Sequence, residues 1–278
     1  MESCDTSIIA PILAPDFAVS TRTWSASGFM LQQIFTRSKL DCTAEITDKE
    51  AEQLPNGDIK LELKYTYPDT SRVSEMVLNR DGKIKYLDLF DEQYGLFRKR
   101  PSKLIGEVHF EFRDGEILLK VRLNDNSEEL EFLFDTGTDG MAINPALAKE
   151  QGMKVSRRQN TSGVGANMEV QISSGNTMHI GPITVKNRNF AILNHALKDV
   201  DGIVGVTLAN NLIIQVNFDD SKMYFYSLGT YRNEDKEHAI PITIPSGLPV
   251  VEGGVNISGE KEVPGRYIRV YRGLTRKQ

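Results

Sequence analysis

Leu130-Glu-Phe-Leu-Phe-Asp-Thr-Gly-Thr138 is an apolar strand that ends on a carboxylate, a hydroxyl residue and a glycine. Thr136 and the amides of the turn can hydrogen-bond to the Asp135 carboxylate and hold its orientation. Gly137 permits a sharp turn and the close approach of another backbone. The tripeptide alone does not decide its use, because Asp-Thr-Gly also occurs in ordinary turns. Its surroundings do.

Upstream, Val108, Phe110 and Phe112 lead to Asp114-Gly115, and Ile117, Leu119, Val121 and Leu123 follow with alternating spacing, which predicts a hairpin. A polar turn from Asn124 to Glu129 connects it to the Asp135 strand. Downstream come Ala142-Ile-Asn144, a short helix at Pro145-Ala-Leu-Ala-Lys-Glu-Gln-Gly152, and the glycine-bearing Thr161-Ser-Gly-Val-Gly165. Strand-like text follows at Ile180-Gly-Pro-Ile-Thr-Val185 and Phe190-Ala-Ile-Leu193. Then come Asp201-Gly-Ile-Val-Gly205 and a final strand pair, Ile214-Gln-Val-Asn-Phe218 with Met223-Tyr-Phe-Tyr226.

In this order, from about Val108 to Tyr226, the chain resembles the retropepsin-like aspartic proteases, the family of the retroviral proteases and their bacterial relatives. The resemblance implies a mainly β fold, in which a retropepsin-like acid-protease β-barrel lobe is preceded by a small α+β domain. It implies an aspartic endopeptidase with Asp135 as one catalytic carboxylate and Thr136, Gly137 and Thr138 supporting the active-site loop. Thr136 would brace two such loops against each other, and Gly137 would lie against the substrate backbone. Ser162, Gly163, Val164, Gly165 and Ala166 would form a flap closing over a peptide or protein substrate. Such enzymes need two facing aspartates sharing one proton across a lytic water, and no cofactor. The sequence holds one complete Asp-Thr-Gly, so the partner carboxylate would come from a second chain in a homodimer or from a second lobe.

The tail bears on that choice. Ile240-Pro-Ile-Thr-Ile244, Ser246-Gly247, Leu248-Pro-Val-Val251 and Val255-Asn-Ile257 echo the first lobe's opening from Phe110 to Leu123, with Gly247 in the place of Gly115. Gly265-Arg-Tyr-Ile-Arg-Val270 should then run into a second Asp-Thr-Gly but reads Tyr271-Arg-Gly273. The expectation is a second lobe truncated at its catalytic loop, as a frameshift would produce; the competing reading is a chance β-hairpin. The domains expected are therefore 1–100 as an auxiliary α+β domain, 101–230 as the protease lobe and 231–278 as the start of a truncated second lobe.

The first hundred residues carry a different pattern. Phe29, Met30, Ile34 and Phe35 suit one face of a helix from Trp24 to Ser38. Ile59, Leu61, Leu63, Tyr65 and Tyr67 alternate up to Pro68-Asp69, and Met76 to Leu78, Asp81-Gly82 and Ile84 to Leu89 read as a hairpin. This order faintly resembles the cone-shaped NTF2-like domains. The basic run Phe97-Arg-Lys-Arg-Pro-Ser-Lys103 reads as a solvated linker.

The composition narrows the rest. A length of 278 residues suits roughly two domains, and 40% apolar with 26% charged residues is the balance of a soluble globular protein. With 33 basic against 38 acidic side chains the net charge is −5, which argues against nucleic acid as a partner. No run approaches the roughly 20 apolar residues that cross a bilayer. The acidic start and the interruptions at Pro11, Pro15 and Asp16 do not suit a secretory signal. A cytoplasmic location is the default expectation, with export if the N-terminus is truncated. Cys4 and Cys42 read as free thiols, and His109, His179, His195 and His238 lack metal-ligand spacing, so no metal is expected.

Three functions compete: the endopeptidase, an inactive remnant of the same fold that binds peptides, and a phosphoaspartate loop like that of haloacid-dehalogenase-type phosphatases. The last lacks the lysine of Asp-Lys-Thr-Gly-Thr loops and has Gly137 where a general-acid aspartate belongs. Asp139 reads as a solvated loop carboxylate, Asp201 as a turn residue rather than a second acid, and His179 and His195 as structural.

Overall fold

The computed structural model describes residues 9–37, 42–47, 49–163, 166–193, 199–231, 240, 242, 248–255 and 263–268. The described residues are mostly strand, so the fold is mainly β, as the alternating patterns require. Two compact units result, one from Met1–Ser102 with Leu228–Val251 and one from Lys103–Ser227 with Glu252–Gln278.

The first unit opens with a ribbon of β1 (Ala18–Val19) and β2 (Arg22–Thr23), which leads into α1 (Trp24–Arg37). Leu31 and Ile34 bury one face of α1 against Phe17 and Val19. Phe29, expected on that face, is 62% exposed. It precedes Leu31 by two residues, roughly 200° around a helix, and so faces the other way. β3 (Thr43–Ile46), β4 (Glu52–Gln53), β5 (Ile59–Thr66), β6 (Ser71–Leu78) and β7 (Ile84–Leu87) form an antiparallel sheet in the order β3-β5-β6-β7, with β4 also on β5. The expected β6–β7 turn is present. Asn79 Oδ1 accepts the N–H groups of Asp81 and Lys83 at 3.0 and 2.8 Å, and Gly82 takes φ +74°, a value that favours glycine. Cys42 is half-buried with a free thiol, while Cys4 lies outside the described residues.

The short helix α2 (Asp88–Glu92) carries a feature invisible in the sequence pattern. Asp91 is fully buried; its carboxylate accepts the Ser20 N–H and the Arg98 Nε–H, each at 2.6 Å. Arg98 stacks 3.9 Å over the Tyr86 ring and also lies 3.6 Å from Asp88. Burial pushes the Asp91 carboxyl up to about 6, outweighing the opposing pull of Arg98 and the Ser20 amide, with Asp88 adding to the rise. Between its ordinary value and about 6, the unfolded chain releases this proton while the folded chain keeps it. Stability therefore falls as pH rises through that window and is flat above it. We expect a loss of about 3 kcal/mol from this group across the window, and Asp91→Asn should flatten the profile. Urea unfolding between pH 4 and 7 checks this.

The second unit begins with β8 (Leu104–His109) and β9 (Glu111–Arg113), and Asp114-Gly115 joins β9 to β10 (Glu116–Leu123). Both turn residues have positive φ, 52° and 86°, as a two-residue hairpin turn demands. Val108 and Phe110 are buried, whereas Phe112 is 46% exposed and packs edge-on against Phe218. β11 (Leu130–Asp135), β12 (Met141–Ile143), α3 (Pro145–Glu150), β13 (Val155–Gly163), β14 (Ala166–Ile180), β15 (Ile183–Ile192) and β16 (Gly202–Gly205) follow. α3 starts where expected because Asn144 Oδ1 accepts the Ala146 N–H at 2.9 Å and Pro145 needs no donor partner there.

The sheet runs β13-β14-β15-β12-β16-β11-β10-β9, and pairing of β14 with β10 closes six of these strands into a barrel. Inside it Leu119, Val121, Phe132, Ile143, Met178, Phe190 and Val204 are fully or almost fully buried, with the Phe132 and Phe190 rings perpendicular. Gly202 sits against the Phe132 ring and the Ala142 carbonyl, where a Cβ would collide with both. The closed, mixed barrel is not the doubly wound parallel sheet that the phosphoaspartate reading requires.

β17 (Leu212–Asn217) and β18 (Lys222–Ser227) pair antiparallel, and β8 joins β18 in a three-stranded sheet. In the tail, β19 (Val250–Val255) pairs with β20 (Val263–Ile268). Of the echo in the tail, residues 241, 243–247, 256–262 and 269–273 lie outside the described residues. No helix among the described residues is long and apolar enough to cross a membrane.

Candidate active site

β11 delivers Asp135 to the end of the barrel, and the next residues fold back on it. The Gly137 N–H donates to Asp135 Oδ1 at 2.8 Å, and the Thr138 hydroxyl donates to Oδ2 at 2.7 Å. The Thr138 N–H also reaches the Asp135 carbonyl at 3.3 Å. Both carboxylate oxygens are thus held by donors from the same loop, which fixes the plane of the group. The sequence suggests Thr136 as a hydroxyl beside the carboxylate, and the turn also brings the Thr138 hydroxyl onto it. The signal for this was the fourth residue of Asp-Thr-Gly-Thr.

A second strand secures the loop from the other side. Asp135 lies opposite Gly205 in the parallel β11–β16 pair. The Gly205 N–H donates to the Gly140 carbonyl and the Val206 N–H to the Thr138 carbonyl, both at 2.8 Å. A Cβ on Gly205 would overlap the carbonyl oxygens of Thr138 and Gly140. The glycine of the second signature is therefore required by backbone contact with the Asp135 loop. It has no positive φ to accommodate.

Asp201 stands at the far end of the same strand. Its carboxylate accepts the Glu131 N–H at 2.8 Å and its own N–H donates to the Glu131 carbonyl at 2.9 Å. Five residues of strand, about 15 Å, separate Glu131 from the loop after Asp135. Asp201 therefore anchors the entry of β11 and cannot be the second acid of this lobe. Asp201→Ala should cost about 1–2 kcal/mol by leaving that amide unpaired, while Asp201→Asn keeps an acceptor and should change stability by less than about 0.5 kcal/mol. Urea denaturation of both variants reads the difference.

The remaining site candidates sort as follows. Ser162 and Gly163 end β13, Ala166 begins β14, and the register pairs Gly163 with Ala166 in an antiparallel hairpin. Val164 and Gly165 lie outside the described residues. Asp139 is exposed in the loop. His179 Nδ1 pairs with Thr184 Oγ1 at 3.1 Å across β14 and β15, and His195 lies outside the described residues. Among the described residues no group of His, Cys, Asp and Glu side chains is arranged to hold a metal ion.

Residues 119–208 match the family described as aspartyl protease. No curated protein matches the chain. Among solved structures, a retropepsin-like aspartic protease from Rickettsia conorii is similar to it at 19% identity, with a TM-score of 0.35, over 47% of this chain and 98% of that one. The match to the aspartyl protease family spans both signatures, the Asp-Thr-Gly loop at the end of the closed six-stranded barrel and the Gly202–Gly205 strand beside it, and it is to that family that the lobe around Asp135 is similar.

Proposed function

We propose that the protein is an aspartic endopeptidase in which Asp135 activates a water together with a second aspartate, supplied by a second copy of the chain or by a second lobe. The observation that carries this reading is the clamped carboxylate. With Gly137 N–H on one oxygen and the Thr138 hydroxyl on the other, Asp135 is oriented before substrate arrives, so no reorganisation is needed at the moment of reaction.

In the reaction, the ionised member of the pair takes a proton from the water as the oxygen attacks the scissile carbonyl carbon. The protonated member gives its hydrogen bond, then its proton, to the carbonyl oxygen. The resulting tetrahedral diol collapses when the amide nitrogen is protonated and leaves, and one hydroxyl proton returns to the pair. Protons shift between the two carboxyls, so neither role belongs permanently to Asp135. The β13–β14 hairpin, as the flap, would add main-chain hydrogen bonds to an extended peptide and limit access of bulk water.

Peptide cleavage at mildly acid pH, blocked by pepstatin, tests the reading. If a second copy completes the pair, activity per chain should rise roughly in proportion to protein concentration while most chains are monomers. If a lobe within one polypeptide completes it, activity per chain should be constant. No pepstatin-sensitive cleavage at any concentration would replace the enzyme by the peptide-binding remnant.

A further inference from the structure

We propose that the first unit holds a separate binding site for a ligand carrying one carboxylate beside an apolar side chain, in the cleft between β6 and the segment running from α2 to Arg100. The cleft has a volume of about 570 Å³, inside the range of small-ligand sites, roughly 300 to 1,000 Å³. Its lining includes Arg72 and Ser74 from β6, Leu89 and Glu92 from α2, and Phe97 and Arg100 beyond it. Leu89 is buried and Phe97 half-buried, which gives the cleft an apolar wall.

Two observations point to an occupant. The Ser74 side chain is 7% exposed, and its hydroxyl, shut off from solvent, has no hydrogen-bond partner. Buried hydroxyls are ordinarily paired, and this one belongs to a residue of the cleft wall, so that a rotation about its Cα–Cβ bond would offer an unfilled donor and acceptor to a ligand. The cations nearby also divide. Arg98 pairs with Asp91 and Lys99 with Glu75, whereas Arg72 and Arg100 form no ion pair among the described residues. Arg100 instead lies 4.0 Å over the Phe97 ring, which holds its guanidinium plane while leaving its N–H groups for a bound anion.

The charges select the ligand class. Two guanidinium groups against the single carboxylate of Glu92 leave one net positive charge, which suits a monoanion and disfavours a phosphate dianion. A planar carboxylate matches a guanidinium fork, and the Leu89–Phe97 wall receives the adjoining apolar group. The C-terminus of a peptide and a free small acid share this chemistry.

Calorimetric titration of the full chain tests the site with N-acetyl-leucine, N-acetyl-leucinamide, a hexapeptide ending in leucine as its free acid and as its amide, and inorganic phosphate. Saturable binding of the acids, weakened at least about tenfold by amidation and by Arg72→Gln or Arg100→Gln, is the expected result. Both arginines are exposed, and superimposable unfolding curves would show that the variants fold. Ser74→Ala should weaken binding yet raise Tm, because it removes an unpaired hydroxyl. Tighter binding of the hexapeptide acid than of N-acetyl-leucine assigns the site to peptide C-termini, and equal affinities assign it to small free acids. The proposal is overturned if no acid binds, if amides or phosphate bind as tightly as the acids, or if neither arginine variant weakens binding.

Discussion

Asp135→Asn is expected to lower kcat/KM for peptide cleavage by about 10³-fold or more while leaving the fold intact. Asparagine has the same shape and keeps an acceptor for the Gly137 N–H, and the Thr138 hydroxyl can rotate to accept from its NH₂ group. It can neither take a proton from water nor carry the shared one. Stability should change little, so the activity loss separates chemistry from folding. Purified wild type and variant, compared by fluorogenic peptide turnover and by thermal unfolding, give the result. Turnover of the variant within tenfold of wild type would remove Asp135 from the chemistry.

Gly205→Ala is expected to abolish cleavage by another route, with a loss of stability of roughly 4 kcal/mol. The added methyl has no space, because the carbonyls of Thr138 and Gly140 already occupy it. These are backbone atoms, so relief requires β16 and the Asp135 loop to separate. That would break the bonds from Gly205 to Gly140 and from Val206 to Thr138, freeing the loop that orients the carboxylate. Gly140→Ala is the control: its Cβ would meet nothing within 4 Å, and its cost should stay below about 1 kcal/mol. Urea unfolding and kcat/KM of the pair read both effects. A Gly205→Ala protein with wild-type stability and turnover would contradict the contact described for the loop.

Much of the barrel lobe was legible because its signals are local. Alternation along Ile117 to Leu123 and the Asp114-Gly115 turn set the hairpin, and the Asn144-Pro145 pair started α3, with each feature depending on residues within a few positions. What escaped depended on where distant segments met. Phe112 has the spacing of a core residue yet lies 46% exposed at the lobe surface. Phe29 belongs to a correctly expected helix but faces away from its buried side. The full burial of Asp91, the unpaired hydroxyl of Ser74 and the separation of Asp201 from Asp135 have no periodicity to announce them.

The division at the site itself follows the same physics. The sequence by itself determined that a carboxylate, a glycine and hydroxyl residues end an apolar strand, because composition and order along one strand are enough to state that. Only the tertiary structure decided that the Thr138 hydroxyl reaches the carboxylate, that Gly205 is required by two carbonyls rather than by its own φ, and that Asp201 anchors the strand's other end. Hydrogen bonds and steric exclusion act through space over about 3 Å, whereas Asp135 and Gly205 are 70 residues apart along the chain. Closure of the barrel is what makes them neighbours.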